Sequence, residues 1–312
     1  MIINVVVAGL LLVSGAGGDD PGPGVRAETS QHGNTAEIKL TNSQIIVSGN
    51  GGGGKSDGYR LKRPCWYEPA QNAADMLDFQ RKAHPSEAWH PDEQKRRNET
   101  LKRFQEKVGE EGRWWTVAHD ASDPKGVACQ LAMEPYVFVP PGTTPPNGIT
   151  IQDLVDIARA ALTVPEPKIR LSPDAQSYVN LPTWVWLDGT GDTTRSVTAT
   201  LPGVMSATVT ATLRNIDIDP GTTGERAEVK DKDACGPTGR PYVKGAKDFT
   251  CGVRYLRASV DQPRDVYELT VTSSWDVAVQ DNVVPFAYDP IQMSATRDVE
   301  VGEVQSTVRG NN

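Results

Sequence analysis

The C-terminal half of the chain is written in period two. Across residues 206–213, Ala207, Val209, Ala211 and Leu213 alternate with Ser206, Thr208, Thr210 and Thr212. Across 267–279, Tyr267, Leu269, Val271, Trp275, Val277 and Val279 share one face. Glu268, Thr270, Thr272, Ser274 and Asp276 take the other. Such alternation marks half-buried antiparallel strands. Trp184 and Trp186 share a face opposite Val185 and Leu187. Two tryptophans at this spacing fit an inter-sheet core; the competing assignment is an aromatic platform for sugar rings. Several such strands between Gly, Pro and Asp turns predict an antiparallel β-sandwich over 173–308.

Before Pro173 the period is mixed. Ile151, Leu154, Val155, Ala158, Ala161 and Leu162 recur at helical spacing. Thr150 with Asp153 makes a capping box in front of them, and Pro165 and Pro167 stop the helix. Residues 92–110 are dense in Glu, Lys, Arg and Gln, with a narrow stripe of Leu101, Phe104 and Val108. That predicts an exposed helix. Its Lys95, Arg96, Arg97, Lys102 and Arg103 interleave with Glu93, Glu99, Glu106 and Glu110, the mark of a solvated face rather than an anion site. Strands are predicted from Trp114-Trp115 and over 135–139. The fold class is therefore α+β and β-rich, with a smaller mixed α+β segment at 59–172 ahead of the sandwich.

Residues 1–13 are almost all apolar, and Ser14-Gly15-Ala16-Gly17-Gly18 then precedes Asp19 and Asp20. Residues 1–16 read as an export signal, although no cation precedes Arg26. Residues 17–58 are Gly-, Asp-, Ser-, Asn- and Pro-rich and read as a disordered linker. No run reaches the ~20 apolar residues of a spanning helix, so no integral membrane span is expected. The expected location is extracellular or in the cell envelope. Cys65, Cys129, Cys235 and Cys251 make an even set suited to an oxidising compartment. Four cysteines allow three pairings. One staple per domain gives Cys65–Cys129 and Cys235–Cys251.

Charge and motifs narrow the chemistry. The 312 residues carry a formal net charge of −8, which excludes the basic footprint of a general nucleic-acid binder. Gly49-Asn50-Gly51-Gly52-Gly53-Gly54-Lys55-Ser56 satisfies the P-loop pattern. A nucleotide site would use Gly49 and Gly54 for close phosphate approach, Lys55 on the β/γ-phosphates and Ser56 on Mg²⁺. It must also open a helix. Gly58 and Pro64 follow instead, with no apolar period, so ATP or GTP binding stays a disfavoured alternative and no cofactor is expected. Asp217 and Asp219 with Glu225, or Asp188 with Asp192, lack EF-hand spacing, and turn chemistry accounts for them. No metal is expected. G-x-S-x-G and H-E-x-x-H are absent, and His32, His84, His90 and His119 all precede the sandwich. No enzymatic activity is predicted, with a glycoside hydrolase using an unrecognised carboxylate pair as a further alternative.

One resemblance can be named. The run Val179-Asn180-Leu181-Pro182-Thr183-Trp184-Val185-Trp186-Leu187-Asp188 resembles the hallmark of actinobacterial secreted proteins of unknown function. Ile169-Arg170-Leu171-Ser172-Pro173, Cys235-Gly236-Pro237 and Cys251-Gly252-Val253-Arg254-Tyr255 extend the similarity over roughly 129–280. The latter part also resembles PKD-type immunoglobulin-like domains. The turn such domains write Trp-Asp-x-Gly-Asp-Gly reads Ile216-Asp217-Ile218-Asp219-Pro220-Gly221 here. The resemblance implies export and an Ig/PKD-like sandwich, and it implies no activity. The expected function is a secreted or envelope-associated, non-enzymatic interaction protein. Its expected partner is an envelope protein or a cell-wall polysaccharide.

Overall fold

A computed structural model describes residues 40–49, 54–83, 90–230, 234–246, 248–280 and 287–304. The signal-like segment, residues 17–39 of the expected linker and residues 50–53 lie outside these. Elements are numbered in chain order.

Sheets are antiparallel almost throughout. The first is built on β4 (Arg113–Asp120), which pairs with β1 (Leu40–Thr41), β3 (Cys65–Asn72) and β5 (Tyr136–Val139). Helices α1 (Ala73–Ala83) and α2 (Pro91–Gln105) connect β3 to β4, and α3 (Gly126–Ala132) follows β4. The paired Trp114 and Trp115 point to opposite faces, as period two requires. Trp114 joins Met76, Leu77, Leu101 and Phe104 under the two helices, while Trp115 enters the main core. Of the stripe expected on the charged helix, Leu101 and Phe104 are buried. Val108 falls beyond the end of α2 and is exposed.

The second sheet has the order β14-β13-β10-β9-β2 and curves as a half-barrel. Its strands are β2 (Ile46–Gly49), β9 (Thr194–Leu201), β10 (Met205–Asp219), β13 (Tyr267–Val279) and β14 (Ile291–Val299). The third has the order β11-β12-β8-β6, from β6 (Lys168–Ser172), β8 (Pro182–Asp188), β11 (Ala227–Lys230) and β12 (Gly252–Tyr255). A short parallel pair, β7 (Ser177–Tyr178) with β15 (Val301–Gly302), closes one end.

Two long strands carry two cores. The first half of β10 and the second half of β13 bury Ala207, Val209, Ala211, Leu213, Trp275 and Val277 beneath α4 (Ile151–Ala161). Leu154, Val155, Ile157 and Ala158 of α4 meet them there. The other halves bury Ile216, Ile218, Tyr267, Leu269 and Val271 against Leu171, Val185, Leu187, Val253 and Tyr255 of the third sheet. Between the halves the pairing of β10 with β13 shifts at Leu213/Asn215, so Arg214 is an extra residue. A bulge adds one residue and re-aims the strand. The inward set therefore changes from odd to even numbers on β10 while β13 stays odd. The capping box at Thr150 and Asp153 forms as predicted.

Two expectations are corrected. Residues 40–49 and 54–58 are not linker. Leu40, Ile45 and Val47 are apolar enough to pack on the core, and β2 completes the edge of the second sheet. A buried carboxylate fastens this stretch. Glu68 accepts hydrogen bonds from Ser43 Oγ (2.7 Å), Gln44 N–H (2.6 Å) and Trp66 Nε1 (2.7 Å). Burial pushes its pKa up, and those three donors only partly oppose the shift. Packing also does not divide at residue 172, because one core joins Trp66, Val117 and α4 to β9, β10 and β13.

Candidate binding face and the lysine strap

The described ends of the stretch that looks like a phosphate loop, Gly49 and Gly54 to Ser56, are packing elements. Gly49 ends β2 opposite Val197, where a Cβ would stand 2.9 Å from that side chain. Gly54 passes Val164 so closely that a Cβ would meet its carbonyl oxygen at 2.9 Å. Both glycines thus serve close approach. Lys55 donates its backbone N–H to Val164 O (2.9 Å) and accepts from Val164 N–H (3.1 Å), and its ammonium meets Glu166. Ser56 Oγ accepts from Gly58 N–H (3.1 Å). Residues 57–64 form neither helix nor strand, and strand β3 comes next, so Gly54–Ser56 do not open a helix.

From Lys55 the chain runs as a strap antiparallel to α4. Asp57 forms a bidentate pair with Arg159. Tyr59 donates to Asp156 (2.9 Å), and Arg63 pairs with Asp153. The helical partners step back three residues at a time, close to one turn each. Arg159 is only 2% exposed, and its guanidinium lies 4.9 Å from the ring centre of Tyr59 and 5.9 Å from that of Tyr288. Asp156 also accepts from Tyr288 (2.7 Å) and Gln152 (3.2 Å). Burial and the Asp156 carboxylate push the Tyr59 hydroxyl up to about 12. The same causes raise Tyr288. Burial pulls the Asp57 carboxyl upward, but the Arg159 hydrogen bond and charge outweigh it and hold Asp57 below its ordinary value. Sequence reasoning missed this network. Its signal was the i, i+3 spacing of Asp153, Asp156 and Arg159 on the polar side of an otherwise apolar helix.

The tryptophans of β8 sit on the solvent side of their sheet. Val185 and Leu187, 0% and 6% exposed, take the inter-sheet core positions expected of Trp184 and Trp186. Alternation sends the even-numbered residues outward. The outer row reads Lys230, Gly252, Trp184 and Ser172 across the four strands, with Trp186 beside Arg170 and Pro182 beside Arg254. Trp184 is nonetheless only 8% exposed, because the loop 235–251 covers it. Phe249 packs edge-on at 5.5 Å and Tyr242 at 6.0 Å. Gly252 leaves no side chain between Lys230 and Trp184, and Phe249 contacts both. Arg254 lies 5.8 Å from the same ring. At Gly252 φ is +132°, and a Cβ would meet the Thr183 carbonyl oxygen at 2.1 Å, so no other residue fits.

The loop is fixed at three places. The Cys235–Cys251 disulfide closes it, with Cα atoms 4.8 Å apart. Gly239 bridges Trp186, with Leu187 N–H donating to Thr238 O (2.7 Å) and Arg240 N–H to Val185 O (3.2 Å). The loop thereby continues the pairing of β8 where β12 stops. Lys230 Nζ also donates to Phe249 O (2.9 Å). Trp186 stays half-buried, and the loop tip presents Tyr242 and Val243 at 47% and 68% exposure. The other predicted disulfide, Cys65–Cys129, ties α3 to β3.

The remaining acidic candidates do not converge. Asp188 pairs with Arg170 (2.9 Å), and Asp219 accepts the turn N–H of Gly221 (2.9 Å). Among the described residues no group of three His, Cys, Asp or Glu side chains is placed to hold a metal ion, and no helix is long and apolar enough to cross a membrane. No family model, curated protein or solved structure matches the chain.

Proposed function

We propose that the chain is an exported, envelope-associated interaction protein without catalytic activity. Its binding surface is the outer face of β11-β12-β8-β6 together with the loop 235–251. In this proposal the second and third sheets are the two layers of an Ig/PKD-like sandwich, and the partner is an envelope protein or a cell-wall polysaccharide. One observation carries the reading. Tyr242 and Val243 are exposed, and Trp186 is half-exposed, on a frame held by a disulfide, backbone pairing and packed aromatic rings. Rigid exposed apolar groups rimmed by charge mark interaction sites. A pull-down from cell-envelope fractions tests it. The wild-type chain should retain a partner that the double substitution Tyr242→Ala, Val243→Ser loses with only a modest fall in thermal stability, since Tyr242 also packs on Trp184. Equal retention by both would refute the reading.

A further inference from the structure

We propose that this face takes an acidic polysaccharide, whose rings stack on aromatic side chains while its anionic groups meet flanking cations. The proposal rests on the reading of the face as a binding surface and names the ligand class.

Charge is the first ground. The outward positions of the four strands and the described residues of the loop carry Lys168, Arg170, Lys230, Arg240, Lys244 and Arg254. Against these six cations stand three carboxylates, Asp188, Glu228 and Asp248. The whole chain carries −8, so the face is a local reversal of sign. A basic patch on an acidic protein favours and steers anionic partners. Two of the carboxylates are spent on Arg170 and Arg254 in exposed pairs, which contribute little and rearrange readily.

Geometry is the second ground. Four of the six cations stand on the strands that flank β8, and the accessible aromatic rings lie between them. Lys168 and Arg170 lie on the edge strand β6, and Lys230 and Arg254 on β11 and β12. Three strand spacings separate the two edge strands, roughly 14 Å. Between them on β8, Trp186 stays half-exposed while Trp184 is covered by the loop, and Tyr242 stands on that loop with Arg240 and Lys244. A sugar ring offers C–H faces to an aromatic ring, and a uronic acid adds a carboxylate at its edge. A chain of such units matches Trp186 and Tyr242 with cations around them. A polyanion without rings leaves Trp186 and Tyr242 unused, and a neutral glycan leaves the cations unused.

The test uses the oxidised full chain and three probes: hyaluronan, a neutral dextran and poly-L-glutamate. Retardation in affinity gels is read for each at low and physiological salt. The expected result is binding to hyaluronan that weakens with salt, with tenfold weaker binding or none to the other two. Trp186→Ala and the double substitution Lys168→Glu, Lys244→Glu should each weaken hyaluronan binding at least tenfold, the lysine changes leaving the melting temperature in place and the tryptophan change lowering it by only a few degrees. Equal binding of poly-L-glutamate would reduce the face to an ion exchanger and overturn the proposal. Equal binding of dextran, sensitive to Trp186→Ala but not to the lysine changes, would overturn the acidic ligand and leave the binding face standing. No retardation by hyaluronan also overturns the acidic ligand. The separate envelope pull-down then decides the face itself.

Discussion

Two segments of this molecule look alike in sequence and end differently. The strap 54–63 and the loop 235–251 are both rich in Gly and carry lysine, and both cross a structured element without forming a helix or a long strand. The strap ties polar side chains to a helix. Asp57, Tyr59 and Arg63 meet Arg159, Asp156 and Asp153 along successive turns of α4. The loop turns its apolar groups both ways, Phe249 onto Trp184 and Tyr242 and Val243 toward solvent. The strap that carries the end of the phosphate-loop pattern is packed against α4, and the loop that matches no motif is the candidate surface. A motif names residue types at a spacing. Function depends on which of their groups remain uncommitted after folding.

The contrast can be broken by mutation, and the strap should show the largest effect. Asp57→Ala leaves the Arg159 guanidinium buried without its counter-charge, and urea unfolding should register a loss of about 4 kcal/mol. The pH dependence follows from the sign. Asp57 titrates below its ordinary 3.8 in the folded protein, so its contribution is fully present above the unfolded value and is lost as pH falls through the lower folded value. Asp57→Asn should lack that acid-side component of the stability curve, and an unaltered curve would detach Asp57 from Arg159.

Opening the Cys235–Cys251 loop comes next. Serine at both positions should cost about 3 kcal/mol by the chain-entropy account, read as a lower denaturation midpoint, and should also weaken envelope capture. Trp184→Ala removes the ring on which Tyr242 and Phe249 rest. Calorimetry should show a loss of about 2–3 kcal/mol of burial. The smallest effect belongs to Lys55→Ala. Its backbone pairing with Val164 survives the change and its ion pair with Glu166 is exposed. Stability should move by no more than about 0.5 kcal/mol. Lys55-dependent binding of ATP at micromolar concentration would contradict its role in the strap.

Much of the fold was legible because its signals are local. Alternation at 206–213 and 267–279 and the Thr150–Asp153 cap depend on neighbours in sequence. What escaped depends on the remote partner. Alternation tells which residues of β8 share a face, but not which face another sheet will cover. Tryptophan is the larger apolar group, yet Val185 and Leu187 fill the core, and Trp184 acquires a separate cover more than fifty residues away. The bulge at Arg214 was visible only as a change of parity between Leu213 and Ile216, whose meaning needs β13 alongside. Residues 40–58 were compositionally linker-like, and a few anchors hold the described part of them: Ile45 in the core, Glu68 on Ser43 and Gln44, and Arg159 on Asp57.

The central claim is that the outer face of β8 binds rather than supports. Trp186→Ala tests it most directly, with the melting temperature and the retention of the envelope partner measured on the same preparation. The account predicts a fall in melting temperature of only a few degrees, as befits the loss of about 1–2 kcal/mol from a half-buried ring, and at least a tenfold loss of retention by protein that is still folded. A large drop in melting temperature with retention unchanged among the molecules still folded would make Trp186 a structural residue and contradict the account.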